Sequence, residues 1–346
     1  VYRTVAERSS RLPRGDDPRV AGAIWGYAQQ LAARGRRTEA VSLMREALDA
    51  RRRVLGDSHP DVLEATVEFA VHLGATGDWV AAEVMLEDVI SVQESSLGSD
   101  HLEVAATARA MGTVLANQGK YDEAAVRLQQ AIRIFDAQLG PTHMITANAR
   151  RNLGRVLGTV GRHDEAAEVY GAALEGIRSM GEDHVFAIQT MVDIAQVRMR
   201  QGLLEEADSL AVEAIEAYGR IGRRGRDLAY ARIIRAQVQR AMGEAERAEA
   251  ILRDVIETGG SAGGGSGLGG GVMGRLALVH LGDLLIEDGR LDEAEPLLLE
   301  AYEAMSAVRP ASHSYPMLAR RTLEKLYRQK GDSAQAARYT EVPPGG

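Results

Sequence analysis

The sequence predicts an all-α protein, a solenoid of antiparallel helix pairs, and three observations carry that prediction. First, a glycine followed five residues later by alanine recurs at Gly35, Gly77, Gly119, Gly161, Gly202, Gly243, Gly289 and Gly331, with intervals of 41 or 42 residues and one of 46. A fixed period of that size marks an array of supersecondary units. Second, aromatic residues make up 4% of a chain that is 45% hydrophobic, so Ala, Leu, Val and Ile must fill the core. Strands favour aromatic and β-branched residues, and this composition suits helices. Third, the stretches on either side of each glycine have helical spacing, as where Met111 and Leu115 fall four residues apart.

Each unit reads as two helices joined at its glycine. The glycine ends the first helix in a left-handed conformation, and the acidic residues that follow, as in G-K-Y-D-E-A from Gly119, G-R-H-D-E-A from Gly161 and G-R-L-D-E-A from Gly289, suit the positive end of the second. Seven residues before the glycine the side chain is small in seven of eight units: Ala28, Ala70, Gly112, Gly154, Ala195, Ala236 and Gly282. Twelve residues after it stand Ala47, Val89, Ala131, Ala173, Ala214, Val255 and Ala301. Together with the alanine five residues on, these small residues let the two helices of a unit approach closely. The early units close on similar phrases: L-G-D-S-H-P from Leu55, L-G-S-D-H from Leu97, L-G-P-T-H from Leu139 and M-G-E-D-H from Met180.

The turn motif and its three small positions resemble the tetratricopeptide repeat, over nearly the whole chain. The period exceeds that repeat's usual ~34 residues by roughly two helical turns. With the closing phrase, this is similar to the longer repeats of the kinesin light chain family. The resemblance implies a right-handed α-solenoid, the tetratricopeptide repeat superhelix, with first helices along a concave groove.

Residues 1–12 align with the second helix of a truncated preceding repeat, so the chain reads as a fragment of a longer protein. Six units fill 13–258. The tract 259–271, G-G-S-A-G-G-G-S-G-L-G-G-G, reads as a flexible loop, and 272–342 holds two more units. The last carries Glu324 at a small position and meets Pro343 and Pro344 early, which marks a C-terminal cap.

Little in the sequence points to chemistry. There is no cysteine, which excludes disulfides and thiolate sites and fits a reducing, cytoplasmic location. No apolar run approaches the ~20 residues of a membrane span. A formal charge of −8 argues against nucleic acid. The strings G-x-S-x-G and G-x-G-x-x-G occur only inside the glycine tract, without the strand that each requires. His59, His101, His143 and His184 recur at unit boundaries, with His313 in a comparable place. Stacked helices lie ~10 Å apart, too far to share an ion, so these histidines read as caps of the next helix. No catalytic residue, metal or cofactor is expected.

Surface remains. By the resemblance, groove positions are Trp25, Gln29, Arg109, Thr113, Asn148, Arg151, Arg155, Gln189, Gln196, Gln237, Arg240, Arg321 and Lys325. Their central members are basic or amide-bearing, which suits carboxylates and peptide backbone. The expected function is a non-catalytic protein-interaction scaffold that takes an acidic peptide or a partner helix in the groove, without nucleic acid or membrane contact, and with self-association open to it. The alternative rests on the C-terminal residues from His313 through L-Y-R-Q-K-G-D-S-A-Q-A-A-R-Y, which look like the end of repeat arrays that follow bacterial serine/threonine kinase domains. That similarity implies a regulatory region behind an upstream catalytic domain.

Overall fold

In the computed structural model the described residues are 18–178, 181, 184–259, 271–307 and 314–340. The truncated repeat expected at 1–12, the glycine tract at 260–270, His313 and the prolines at 343–344 lie outside them. The described residues form sixteen helices and no strand. They belong to two compact units, of which the first ends at Gly176 and the second begins at Ile177.

The first unit holds α1 (Pro18–Ala33), α2 (Arg37–Leu55), α3 (Pro60–Gly74), α4 (Trp79–Leu97), α5 (Leu102–Asn117), α6 (Tyr121–Leu139), α7 (Met144–Thr159) and most of α8 (His163–Arg178). The second holds α9 (Val185–Arg200), α10 (Leu204–Arg220), α11 (Arg226–Ala241), α12 (Ala245–Gly259), α13 (Val272–Glu287), α14 (Leu291–Ser306), α15 (Ser314–Gln329) and α16 (Ser333–Thr340). In the first three described repeats the additional length goes into the second helix: α2, α4 and α6 run to 19 residues, whereas α5 and α7 have 16.

Local chemistry explains these boundaries. Gly119 has φ +82°, and the N–H of Lys120 reaches back to the carbonyl of Leu115 at 3.0 Å, which closes the end of α5. The other seven turn glycines also have positive φ. The predicted histidine caps are present: Nδ1 of His59, His101, His143 and His184 accepts the backbone N–H two residues on, at 3.2 to 3.3 Å. Accepting there requires an unprotonated Nδ1.

The small positions do what their spacing implies. Ala40, Ala82, Ala124, Ala166, Ala207, Ala248 and Ala294 are fully buried. A Cβ added at Gly112 would lie 2.6 Å from Cγ of Leu128, and one at Gly282 would lie 2.5 Å from Cγ of Leu298. Such contacts leave no room for alanine at these two crossings. In the last repeat Glu324 holds the short α16 instead, accepting from the hydroxyl of Thr340 at 3.2 Å.

Within the first unit α3 packs on α5 and α5 on α7, while α2, α4 and α6 form no such pairs. The second unit repeats this pattern with α9, α11, α13 and α15. Crowding the first helices together while spreading the second ones puts the first helices on the inner side of each stack. The helices flanking the glycine tract share one core, in which Ala248, Leu252, Val255, Met273, Leu276 and Leu281 are all buried.

Candidate functional site

In the first unit, the inner face begins with two side chains that are already engaged. Trp25 is buried, its indole N–H donating to Glu68 at 3.0 Å, and Gln29 donates to the other oxygen of that carboxylate at 2.7 Å. The guanidinium of Arg51 on α2 stacks 4.9 Å from the centre of the Trp25 ring. His72 lies 3.9 Å from Glu68, and burial pushes its pKa down despite that carboxylate. Trp25 and Gln29 therefore bind α1 to α3 and offer a ligand little.

Two turns further along the stack the character changes. Arg109 and Thr113 lie on α5, and Asn148, Arg151 and Arg155 lie on α7, which packs against it. Arg109 is half-buried and has no ion-pair partner among the described residues, and burial lowers its pKa. The Thr113 hydroxyl is spent on its own helix, donating to the carbonyl of Arg109 at 3.1 Å. Arg155 is exposed. Helix α7 carries no acidic residue, and although its Arg150 is paired with Asp136 on α6, Arg109 and Arg155 give this part of an acidic protein a positive field.

The second unit treats the same face differently. Gln189 and Gln196 on α9 are half-buried. Gln237 on α11 stands 3.1 Å from Nε2 of His280 on α13. Arg240 reaches Asp283 at 2.8 Å and grips both oxygens of Glu287. Lys325 on α15 meets Asp283 at 2.6 Å and Glu287 at 3.4 Å. One pair of carboxylates on α13 thus ties α11 to α15. Burial works to raise the pKa of Asp283, but hydrogen bonds from Lys325 and Arg240 outweigh it and hold the group ionised. Arg321 is exposed and outside this network.

Glu68, His280, Asp283 and Glu287 are the residues that sequence reasoning missed. Asp283 lies six residues before Gly289, the same register as Gln29, Thr113, Arg155 and Lys325. Its charge at that position was the available signal, because an acid between two bases on adjacent helices neutralises both. Nothing in the described residues gathers three or more metal-ligating side chains, and no helix is long and apolar enough to cross a membrane.

A family model described as tetratricopeptide repeat matches residues 19–95, 65–137 and 103–179, and a second of the same description matches 229–254 and 275–300. None of the curated proteins matches the chain in sequence. Among solved structures, the Rap protein complexed with Competence and Sporulation Factor has a TM-score of 0.61 at 14% identity, covering 93% of this chain and 85% of its own. RapI in its apo form has a TM-score of 0.61 at 13% identity, covering 88% and 99%. Repeats described as a kinesin light chain of Podosopora anserina reach 0.51 at 22% identity, covering 60% and 99%. At these identities the likeness is one of fold.

Proposed function

The chain belongs to the tetratricopeptide repeat family, and from that premise we propose that it is a non-catalytic, cytoplasmic interaction scaffold whose first unit binds an acidic, extended peptide. The observation that carries this reading is Arg109, a half-buried cation with no counter-ion among the described residues, on the helix packed against α7. A guanidinium gives up hydration when half-buried, and a ligand carboxylate replaces it with paired, charge-assisted hydrogen bonds. Asn148 supplies an amide for a peptide backbone. A Rap protein of similar fold is complexed with Competence and Sporulation Factor, which is consistent with a ligand held by such a stack.

The test uses a fluorescein-labelled glutamate-rich peptide and fluorescence anisotropy. The parent binds it saturably and more weakly as salt rises, while Arg109→Glu/Arg151→Glu/Arg155→Glu loses binding with unchanged helical circular dichroism. The exposed Arg155→Glu change alone weakens binding several-fold and carries little risk to folding. Equal binding by parent and triple variant refutes this choice of face. The kinase-tail reading rests on the C-terminal residues alone, and an upstream glycine-rich loop with H-R-D and D-F-G motifs is the observation that would support it.

A further inference from the structure

The outer side of the first unit contains a cavity of about 790 Å³ between α6 and α8, with α7 as its floor. Leu153 and Leu157 line the floor, and Ile132, Val169 and Ala172 are among the apolar residues of the walls. Its size falls in the range of sites that take a ligand, roughly 300–1,000 Å³.

Comparison with equivalent grooves explains why this one is open. Between α4 and α6 the corresponding positions carry Arg127 and Gln130, which bond to each other at 3.4 Å, and Arg127 reaches across to Glu87 at 3.7 Å. In the second unit Asp254 stands where Gln130 does and pairs at 2.5 Å with Arg232, which rises from the floor helix α11. In α8 these residues are replaced by Val169 and Ala172, which are too short to cross. Arg150, at the position of Arg232, is drawn to the α6 wall of the same cavity instead of across it: it grips both oxygens of Asp136 on α6 at 2.8 Å and donates to the carbonyl of Pro141 at 2.5 Å. The groove is thus held open by a fixed arginine and lacks the side chains that close its counterparts.

The charge around it has one sign on the α8 wall. That helix carries Asp164, Glu165, Glu168 and Glu175 against the single Arg178. Glu165 is paired with Arg162, but Glu168 is exposed and has no partner among the described residues.

We propose that this outer groove is a second docking site, for a basic amphipathic helix of a protein partner. Its aliphatic side chains one turn apart fill the space over Leu153, Leu157 and Val169, and a flanking lysine or arginine meets Glu168. Helix-in-groove recognition needs this combination of an apolar trough and a complementary charged rim. The site shares α7 with the inner face but uses that helix's opposite side, and it differs in polarity and preferred partner.

The test is a fluorescein-labelled 16-residue helix of lysine and alanine with leucines spaced i, i+4 and i+7, added to the whole chain. The control peptides replace leucine by alanine, or lysine by glutamate. The variant Gln129→Glu/Val169→Arg/Ala172→Gln transplants the side chains of the α4–α6 groove into this one. The expected result is saturable, salt-sensitive binding of the leucine peptide, at least tenfold weaker binding of either control to this groove, and at least tenfold loss in the variant at unchanged Tm. Glu168→Lys, a surface change that leaves packing alone, should weaken binding several-fold. Equal binding of the alanine control, or undiminished binding by both variants, overturns the proposal. Both variants retain Arg109, Arg151 and Arg155, so binding of the glutamate-rich probe reports separately on the inner face.

Discussion

Two inner faces built on one scaffold meet opposite fates. On α5 and α7 of the first unit, Arg109 and Arg155 present positive charge, and Arg109 has no ion-pair partner among the described residues. On α11, α13 and α15 of the second, Arg240 and Lys325 are consumed by Asp283 and Glu287. Repeat register fixes where a side chain points, whereas the residue chosen on the neighbouring helix decides whether it binds a ligand or its own protein. A groove in this architecture is therefore recognised by charge left over after internal pairing, and identity at the groove positions alone is insufficient.

The largest expected effect tests whether the repeats behave as a near-neighbour stack. Ala124 is fully buried, and its carbonyl lies 3.1 Å from where a Cβ on Gly112 would stand. Ala124→Trp puts an indole into that crossing and should cost about 3 kcal/mol or more. Hydrogen exchange should show protection lost around residues 105–147 and recovered progressively with distance. Uniform loss throughout the chain would show that stability is not built repeat by repeat.

Next comes pH, which should separate the two faces. Burial, countered in part by Asp283 and added to by Arg240, pushes the His280 pKa down to about 4, against about 6.5 in an unfolded chain. Between those values the unfolded state binds the proton and the folded state does not, so stability falls as pH falls. The contribution is fully present above about pH 6.5 and is lost toward pH 4, by at most about 3 kcal/mol, less for the partial exposure of this ring. His280→Gln should flatten that part of the stability profile of the second unit, and an unchanged slope would remove His280 as its cause. The Asp283 and Glu287 pKa values are depressed, so their stabilisation is lost only further into acid.

Breaking the clamp should make the second face resemble the first. Asp283→Asn with Glu287→Gln leaves Arg240 and Lys325 partly buried without carboxylates, costing about 1–3 kcal/mol by thermal denaturation. It should also create salt-sensitive binding of the glutamate-rich peptide in a variant that lacks the three first-unit arginines. Failure to gain binding would mean that an unneutralised base at these positions is insufficient.

The sequence revealed the fold more fully than the site for a physical reason. Repetition shows the close crossing eight times over at the position of Ala124 and seven times at that of Gly112, and the boundary histidines occupy positions where only a cap makes sense. The site depends on pairs formed between helices about 42 residues apart, such as Lys325 with Asp283. Reading basic and amide residues at groove positions singled out Arg109 and Arg155 and passed over acids at the same register. Trp25 was placed on the groove by register although its ring is buried and its N–H belongs to Glu68. The outer cavity has a local signal as well, Val169 and Ala172 in place of Arg127 and Gln130, which emerges only when adjacent repeats are compared position by position.

The smallest expected effects concern how the two units cap their first helices. In the first unit α3, α5 and α7 each begin with a histidine whose Nδ1 accepts a backbone N–H. In the second α9 does so, while α11 begins at Gly225 and α13 at Gly271 without a side-chain cap. Replacing His101 by alanine frees the Glu103 N–H and should cost about 0.5–1 kcal/mol, with His101→Ser restoring most of it. The reverse experiment is more selective. Gly271 has φ −119° and ψ 170°, extended backbone that any residue adopts, so Gly271→Asp should add a cap to α13. Gly225, at φ +105°, would strain any side chain placed there. Gly271→Asp should therefore gain a few tenths of a kcal/mol, seen as slower amide exchange in the first turn of α13, while Gly225→Asp should lose stability. Gains at both positions would show that the helix dipole, which the added carboxylate favours in either place, outweighs the cap geometry on which this contrast depends.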